Sequence, residues 1–122
     1  MPGVIDRNVL NLSITPVTVA ATSGVVCVVD LLKYVTKTFT LDNTGSNALT
    51  AAKIQTSALD SPSTDPANTT DWEDQDTTTF ATLAAGATKS KTFTDDVRRW
   101  WRVLATSVSG TTVKPHVAAA TP

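Results

Sequence analysis

Few side chains in this sequence are of a type that does covalent or acid–base chemistry. There is one histidine, His116, beside Pro115, and one cysteine, Cys27, inside the apolar run Val25 to Val29. A catalytic imidazole needs a charged or hydrogen-bonding partner that fixes its tautomer and tunes its proton affinity. No such partner is identifiable near His116, which is read as a surface or edge residue. Cys27 has no basic neighbour to stabilise a thiolate, so it is read as a small buried hydrophobe. A lone cysteine also rules out an internal disulfide framework, and one Cys with one His cannot make a zinc site of the usual spacing. Hard oxygen ligands concentrate only at Asp71, Glu73, Asp74 and Asp76. Calcium wants about six to eight oxygens held by a shaped loop, and no Asp-x-Asp-x-Asp-Gly pattern supplies one, so the cluster is read as a solvated acidic loop. Neither a Gly-rich phosphate loop nor a Gly-x-Ser-x-Gly elbow is present. These observations imply no catalytic residue, no metal site and no cofactor, and argue against an enzyme.

The chemistry that remains is recognition. Arg98-Arg99-Trp100-Trp101-Arg102-Val103-Leu104-Ala105 is the most informative segment. In a strand, successive side chains point to opposite faces, so both tryptophans cannot enter one core. Trp101, Val103 and Ala105 form the cleaner apolar face and are expected inside. Trp100, Arg102 and Arg98 are then left on the other face. Either Trp100 packs under a loop with Arg102 stacked on its ring, or Trp100 and Arg102 anchor a partner, since Trp and Arg are enriched at interface hot spots. Trp72 is read as a plug closing the end of the fold or as a loop-borne contact. Trp72, Arg98, Trp100 and Arg102 are thus the candidate interface residues.

The elements that must position them are strands. Thr is the commonest residue and recurs at alternate positions, as at Thr36, Thr38 and Thr40, a pattern suited to half-exposed strands. Tyr34 to Leu41 sets Val35, Lys37, Phe39 and Leu41 on one face and tyrosine and threonines on the other. The turn residues Asp42 to Asn47 predict a reversal, with Ala48 to Ser57 returning as the hairpin partner. Further strands are expected at Val9 to Val19, bent or at an edge because of Pro16, and at Val25 to Val29. Others are expected at Thr77 to Leu83, Ala87 to Thr94, Arg99 to Val108 and Thr111 to Val117. No segment has the apolar spacing of an amphipathic helix. The fold class is therefore all-β, an antiparallel sandwich of jelly-roll or Ig-like type with about eight strands. An echo, Lys37-Thr38-Phe39-Thr40 against Lys91-Thr92-Phe93-Thr94, suggests matching units in two facing sheets.

The 122 residues, with 41% hydrophobic content and a formal net charge of −1, suit one domain, residues 1–122, with arms at 1–8 and 117–122. The segment Asp60 to Asp76 is long, polar and punctuated by Pro62 and Pro66, and is expected to be a contact loop. With 10 basic against 11 acidic residues there is no basic excess for a phosphate backbone, so direct nucleic-acid binding is disfavoured. Val25 to Leu32, interrupted by Asp30, is far short of the roughly 20 residues a membrane span needs. The N-terminus lacks the pattern of a secretion signal, and the product is expected to start in a cytoplasm.

The order of parts resembles small all-β structural proteins of tailed bacteriophages. It runs from Trp72 after a polar loop, through Phe80-Ala81-Thr82-Leu83-Ala84-Ala85-Gly86-Ala87 and a Thr/Phe strand, to Arg99-Trp100-Trp101-Arg102-Val103-Leu104-Ala105-Thr106. The resemblance implies a non-enzymatic virion protein, foremost a capsid decoration (cement) protein that binds the major capsid protein and its own copies as a homo-oligomer. It implies synthesis in the host cytoplasm and location on the virion. It carries over no site residue, because such proteins share an architecture rather than a site. A head-to-tail or tail component is an alternative within the same class. A carbohydrate-binding module, stacking glycan on Trp72 or Trp100, is an alternative outside it.

Overall fold

The computed structural model describes residues 9–121. Its strands are β1 (Val9–Ser13), β2 (Val17–Val19), β3 (Gly24–Asp30), β4 (Thr36–Asn43), β5 (Ala51–Ser57), β6 (Glu73–Asp76), β7 (Thr88–Phe93), β8 (Trp100–Thr106) and β9 (Thr111–Ala120). No helix occurs among the described residues. One antiparallel sheet has the order β1-β9-β4-β7, with β2 also pairing β9, and the other has the order β3-β8-β5-β6. The chain is an all-β sandwich, as its alternation predicts.

The core lies between the sheets and takes mainly alternate residues from the strands, with none from β6. Lys37, Phe39, Leu41 and Asn43 of β4 point inward, as do Trp101, Val103 and Ala105 of β8. Phe39, Phe93 and Trp101 form an aromatic cluster, with ring centroids 4.8 to 6.2 Å apart. Lys37, the one break in the apolar alternation of β4, is fully buried. Its ammonium donates to the carbonyls of Asp96 and Arg98 and sits 4.9 Å from the Trp101 ring centroid. On the outer face of the β4–β7 pair the threonines make a hydroxyl ladder. Thr38 Oγ1 meets Thr92 Oγ1 at 2.8 Å and Thr40 Oγ1 meets Ser90 Oγ at 2.7 Å, the cross-strand bonding that stabilises a solvent-facing sheet.

Several local expectations are corrected by long-range contacts. β4 and β5 are not a hairpin, because the reversal after β4 crosses from one sheet to the other. Buried Asn43 locks that crossover. Its Nδ2 donates to the carbonyls of Asn47 (2.9 Å) and Leu83 (3.0 Å), and its Oδ1 accepts from Gly45 N (3.2 Å) and Thr111 Oγ1 (2.8 Å). The echoed segments do not face each other from two sheets. They are antiparallel neighbours in one sheet, with Lys37 opposite Phe93 and Phe39 opposite Lys91. Residues 77–83 form turns rather than a strand. Asp76 caps them by accepting from Thr78 N and Thr79 N, and Phe80 and Leu83 reach the core at a spacing of three.

Residues 117–120, expected as part of an arm, continue β9 and are paired with β1 on one side and β4 on the other. Their small apolar side chains fit between two neighbours. The expected arm at 1–8 lies outside the described residues. Val9 to Val19 is two strands, broken at residues 14–16. Opposite that break Pro115 accepts from Ile14 N (3.0 Å), so the missing amide donor of Pro115 falls where the edge is already interrupted.

Candidate functional site

Strand β8 places the candidate residues. Trp101 is fully buried on the inner face as expected, and Arg102 points outward. Arg102 is nevertheless only 1% exposed. The segment between β5 and β6 folds over it, and this segment together with Gln55 of β5 supplies acceptors for all three guanidinium nitrogens. Nε donates to Gln55 Oε1 (2.8 Å), Nη1 to the Asp65 carbonyl (3.1 Å) and Nη2 to the Asn68 carbonyl (3.1 Å). Trp72 lies over the same guanidinium, 4.3 Å from ring centroid to Cζ, and its Nε1 donates to the Ser63 carbonyl (2.8 Å). Burial lowers the proton affinity of Arg102, opposed by Asp65 and Asp71.

The long loop is therefore an ordered lid. Asp71 Oδ2 accepts from Ser63 N (2.8 Å), Asn68 Oδ1 accepts from Asp71 N (2.9 Å), and residues 73–76, expected as loop, form the edge strand β6. Arg102 stacks on Trp72 rather than on Trp100. The cation above Trp100 is Arg99, 5.2 Å from the ring centroid, which also bonds Asp30 (3.0 Å) and lies 3.6 Å from Asp60.

Trp72, Trp100 and Arg102 come together around a groove of about 360 Å³ on the outer face of the β8 sheet, bounded by Pro62 on the lid and by Val25 and Val28 of β3. Trp100 Nε1 is buried without a hydrogen-bond partner. Arg98 is not part of this groove. It lies before β8, where it holds Asp96 through both guanidinium and backbone bonds and sits 5.3 Å from the Trp101 ring centroid. The Arg98 hydrogen bonds hold the Asp96 carboxyl below its ordinary proton affinity against the opposing effect of burial.

The other chemically capable residues are occupied structurally. Burial pushes the Cys27 thiol up to about 12. His116 is half-buried within β9, between Ser13 and Thr40. Asp74 accepts from Gln55 Nε2 (2.7 Å), while Asp76 caps a turn and lies 3.7 Å from Lys91. Among the described residues, no group of three or more His, Cys, Asp or Glu is placed to hold a metal ion.

A second surface was not singled out by the sequence. Where the edges of the two sheets adjoin, a cleft of about 630 Å³ runs between β1 and β3, lined mainly by apolar residues such as Leu12, Val28 and Leu32, with the charged Asp30 and Lys33 also in its wall. Leu12, Val28 and Leu32 are 37%, 47% and 59% exposed. Alternation alone marks such residues as core, so the signal that they lie at an edge is carried only by sheet order.

By sequence, the chain matches no protein family and no curated protein. Its fold matches the crystal structure of SPBc2 prophage-derived protein YomS, with a TM-score of 0.58, 10% identity and coverage of 97% of each chain. It also matches that of PirA, with a TM-score of 0.51, 17% identity, and coverage of 87% of this chain and 91% of that one. At these identities what is shared is the fold, and a prophage-derived protein is among those that share it.

Proposed function

We propose that this chain is a non-enzymatic virion structural protein, foremost a capsid decoration protein that binds the major capsid protein and its own copies on the particle. The observation that carries this reading is the apolar margin formed by Leu12, Val28 and Leu32 where the β1 and β3 edges adjoin, since an exposed apolar patch of this kind marks a protein contact. The strand order supports it. Successive strands change sheets at six of the eight connections, giving β1-β9-β4-β7 opposite β3-β8-β5-β6. We read this as a jelly roll, an architecture frequent in capsid proteins and also found in lectins. Likeness in fold to a prophage-derived protein is consistent with a phage setting.

The test is cofractionation. The tagged chain is expected to sediment with purified particles at a fixed ratio to the major capsid protein, and its absence from them overturns the proposal. A head-to-tail or tail location would give the same cofractionation at much lower copy number.

The groove beside Trp100 favours one further reading, a carbohydrate-binding module. Trp100 lines an apolar trough of about 360 Å³ with Asp60, Ser61 and Thr64 at its margin. Trp72 is less suited to stack on a sugar, being only 6% exposed and covered by Arg102. Glycan binding lost in Trp100→Ala would support this reading, and an array showing no binding would remove it.

A further inference from the structure

The lid contains the sequence's one Asp–Pro bond, Asp65–Pro66. Such a bond is more easily broken than other peptide bonds. Its nitrogen is a tertiary amide, more basic than a secondary one, and the aspartyl carboxyl can close a five-membered ring on its own main-chain carbon. Proline also lacks the N–H through which other aspartyl bonds are diverted to a succinimide. Here the bond opens a turn, in which Asn68 N donates to the Asp65 carbonyl (3.0 Å) and Ala67 N donates to Asp65 Oδ1 (2.9 Å). A turn by itself brings one donor to that carbonyl. The second is Arg102 Nη1 of β8, at 3.1 Å. A peptide carbonyl held between a backbone amide and a guanidinium has the donor set of an oxyanion hole.

Arg102 is also a buried cation without a paired anion. It is 1% exposed, and its acceptors, Gln55 Oε1 and the carbonyls of Asp65 and Asn68, are all uncharged. Among the described residues it forms no ion pair, and the carboxylates of Asp65 and Asp71 act on it only at longer range. A negative charge that forms on one of its acceptors therefore gains more in the transition state than the neutral carbonyl gains in the ground state. We infer that the chain cleaves itself at Asp65–Pro66, with the Asp65 carboxyl as nucleophile and with Arg102 and the Asn68 amide holding the oxyanion. One carboxyl oxygen adds to the Asp65 main-chain carbon, and the main-chain oxygen takes the charge. The carboxyl proton passes to the Pro66 nitrogen as the C–N bond breaks, leaving a cyclic anhydride at Asp65 and a secondary amine at Pro66. One water opens the anhydride to two carboxyls, and Asp65 is exposed enough to admit it. The net change is one water added across the C–N bond, with no oxidation or reduction. The new terminal carboxylate of Asp65 then stands beside Arg102 as its counter-ion. The event occurs once per chain and separates Ser61, Pro62 and Thr64, which wall the Trp100 groove, from the part of the lid that carries Trp72.

This inference does not depend on the virion reading, and its test is separate from cofractionation. The purified full chain is incubated in mildly acidic buffer in which circular dichroism shows it folded, since the reaction uses the carboxyl in its protonated form. The charges gathered at this turn are Asp65 and Asp71 of the lid and Arg102 of β8. A parallel sample is held in denaturant at the same acidity and reports the rate of the same bond without its two donors. Mass spectrometry is expected to show fragments 1–65 and 66–122, the second beginning at Pro66, with summed mass one water above the intact chain. The folded chain should cleave about tenfold or more faster than the denatured one. Asp65→Ala, which keeps the main-chain carbonyl and removes the nucleophile, should stay intact. Arg102→Lys, scored only where circular dichroism shows it folded, should fall by about tenfold, toward the denatured rate. A folded wild type that stays intact, or cleaves no faster than the denatured chain, overturns the inference without recourse to any variant. So does cleavage of Asp65→Ala at the wild-type rate, which would make the cut the work of a contaminating protease, or a folded Arg102→Lys that cleaves as fast as wild type.

Discussion

Arg102 and Asn43 are the polar residues on which the interior depends most. Arg102 is the link between β8 and the lid, since Gln55, Asp65 and Asn68 all accept from it. Arg102→Met should cost about 2–4 kcal/mol, measured by denaturant unfolding, because two buried carbonyls and an amide oxygen lose their donor. Arg102→Lys should restore little of this, since one ammonium on a flexible stem cannot reproduce a planar fork aimed at three acceptors. In both variants proteolysis between residues 60 and 72 should quicken. Asn43→Ala should cost a similar amount, about 2–4 kcal/mol, through the loss of four bonds that the crossover has no other way to satisfy.

Elements, in turn, are held by the strands they adjoin more than by their own composition. A Cβ on Gly45 would come within 2.5 Å of Thr112 N and closer still to Thr111 Oγ1, so the crossover lies directly against the start of β9. Gly45→Ala is expected to destabilise by about 1–3 kcal/mol in thermal or denaturant unfolding, through forced separation of backbones. Strand β9 supplies a sharper test. Residues 117–120 sit between β1 and β4, and a chain ending at His116 removes four of the five pairs with β1 and four of the eight with β4. That truncation should abolish cooperative unfolding, whereas deletion of an arm would leave the midpoint unchanged. The Thr/Phe echo has a related explanation. Its two copies are similar because they are cross-strand neighbours with the same outer hydroxyls and inner aromatics, a likeness that period alone cannot place in one sheet or two.

At the scale of the whole molecule, stability should fall in acid for an identifiable reason. Hydrogen bonds from Arg98 depress Asp96; at Asp76 burial acts to raise the affinity, but the bonds from Thr79 and Thr78 outweigh it. A carboxyl bound more weakly by protons when folded contributes stability above its ordinary value of 3.8 and loses it as pH falls through the lowered folded value. Asp96→Asn should therefore flatten the acid limb of a stability–pH profile while lowering stability at neutral pH. Lys37 acts with the same pH sense, but in a window at the alkaline end. Burial lowers its proton affinity despite Asp96, so stability should rise as pH climbs toward its ordinary value of 10.5.

What the sequence determined by itself was the class and the facing of side chains. Period-two alternation of β-branched and apolar residues is a local property of a strand, and it set the all-β sandwich, the inward Trp101, Val103 and Ala105, the buried Cys27 and the inward Lys37. Tertiary structure decided which strands are neighbours, because hydrogen bonding in a sheet joins residues far apart in sequence and leaves no periodic trace. It set β4 beside β7 and β9 rather than β5, folded the lid over Arg102 so that two candidate interface residues, Trp72 and Arg102, are buried, and left β3 at an edge with apolar recesses on both sides. A contact surface is made of what remains unpaired after the sheets are ordered, and that remainder exists only in three dimensions.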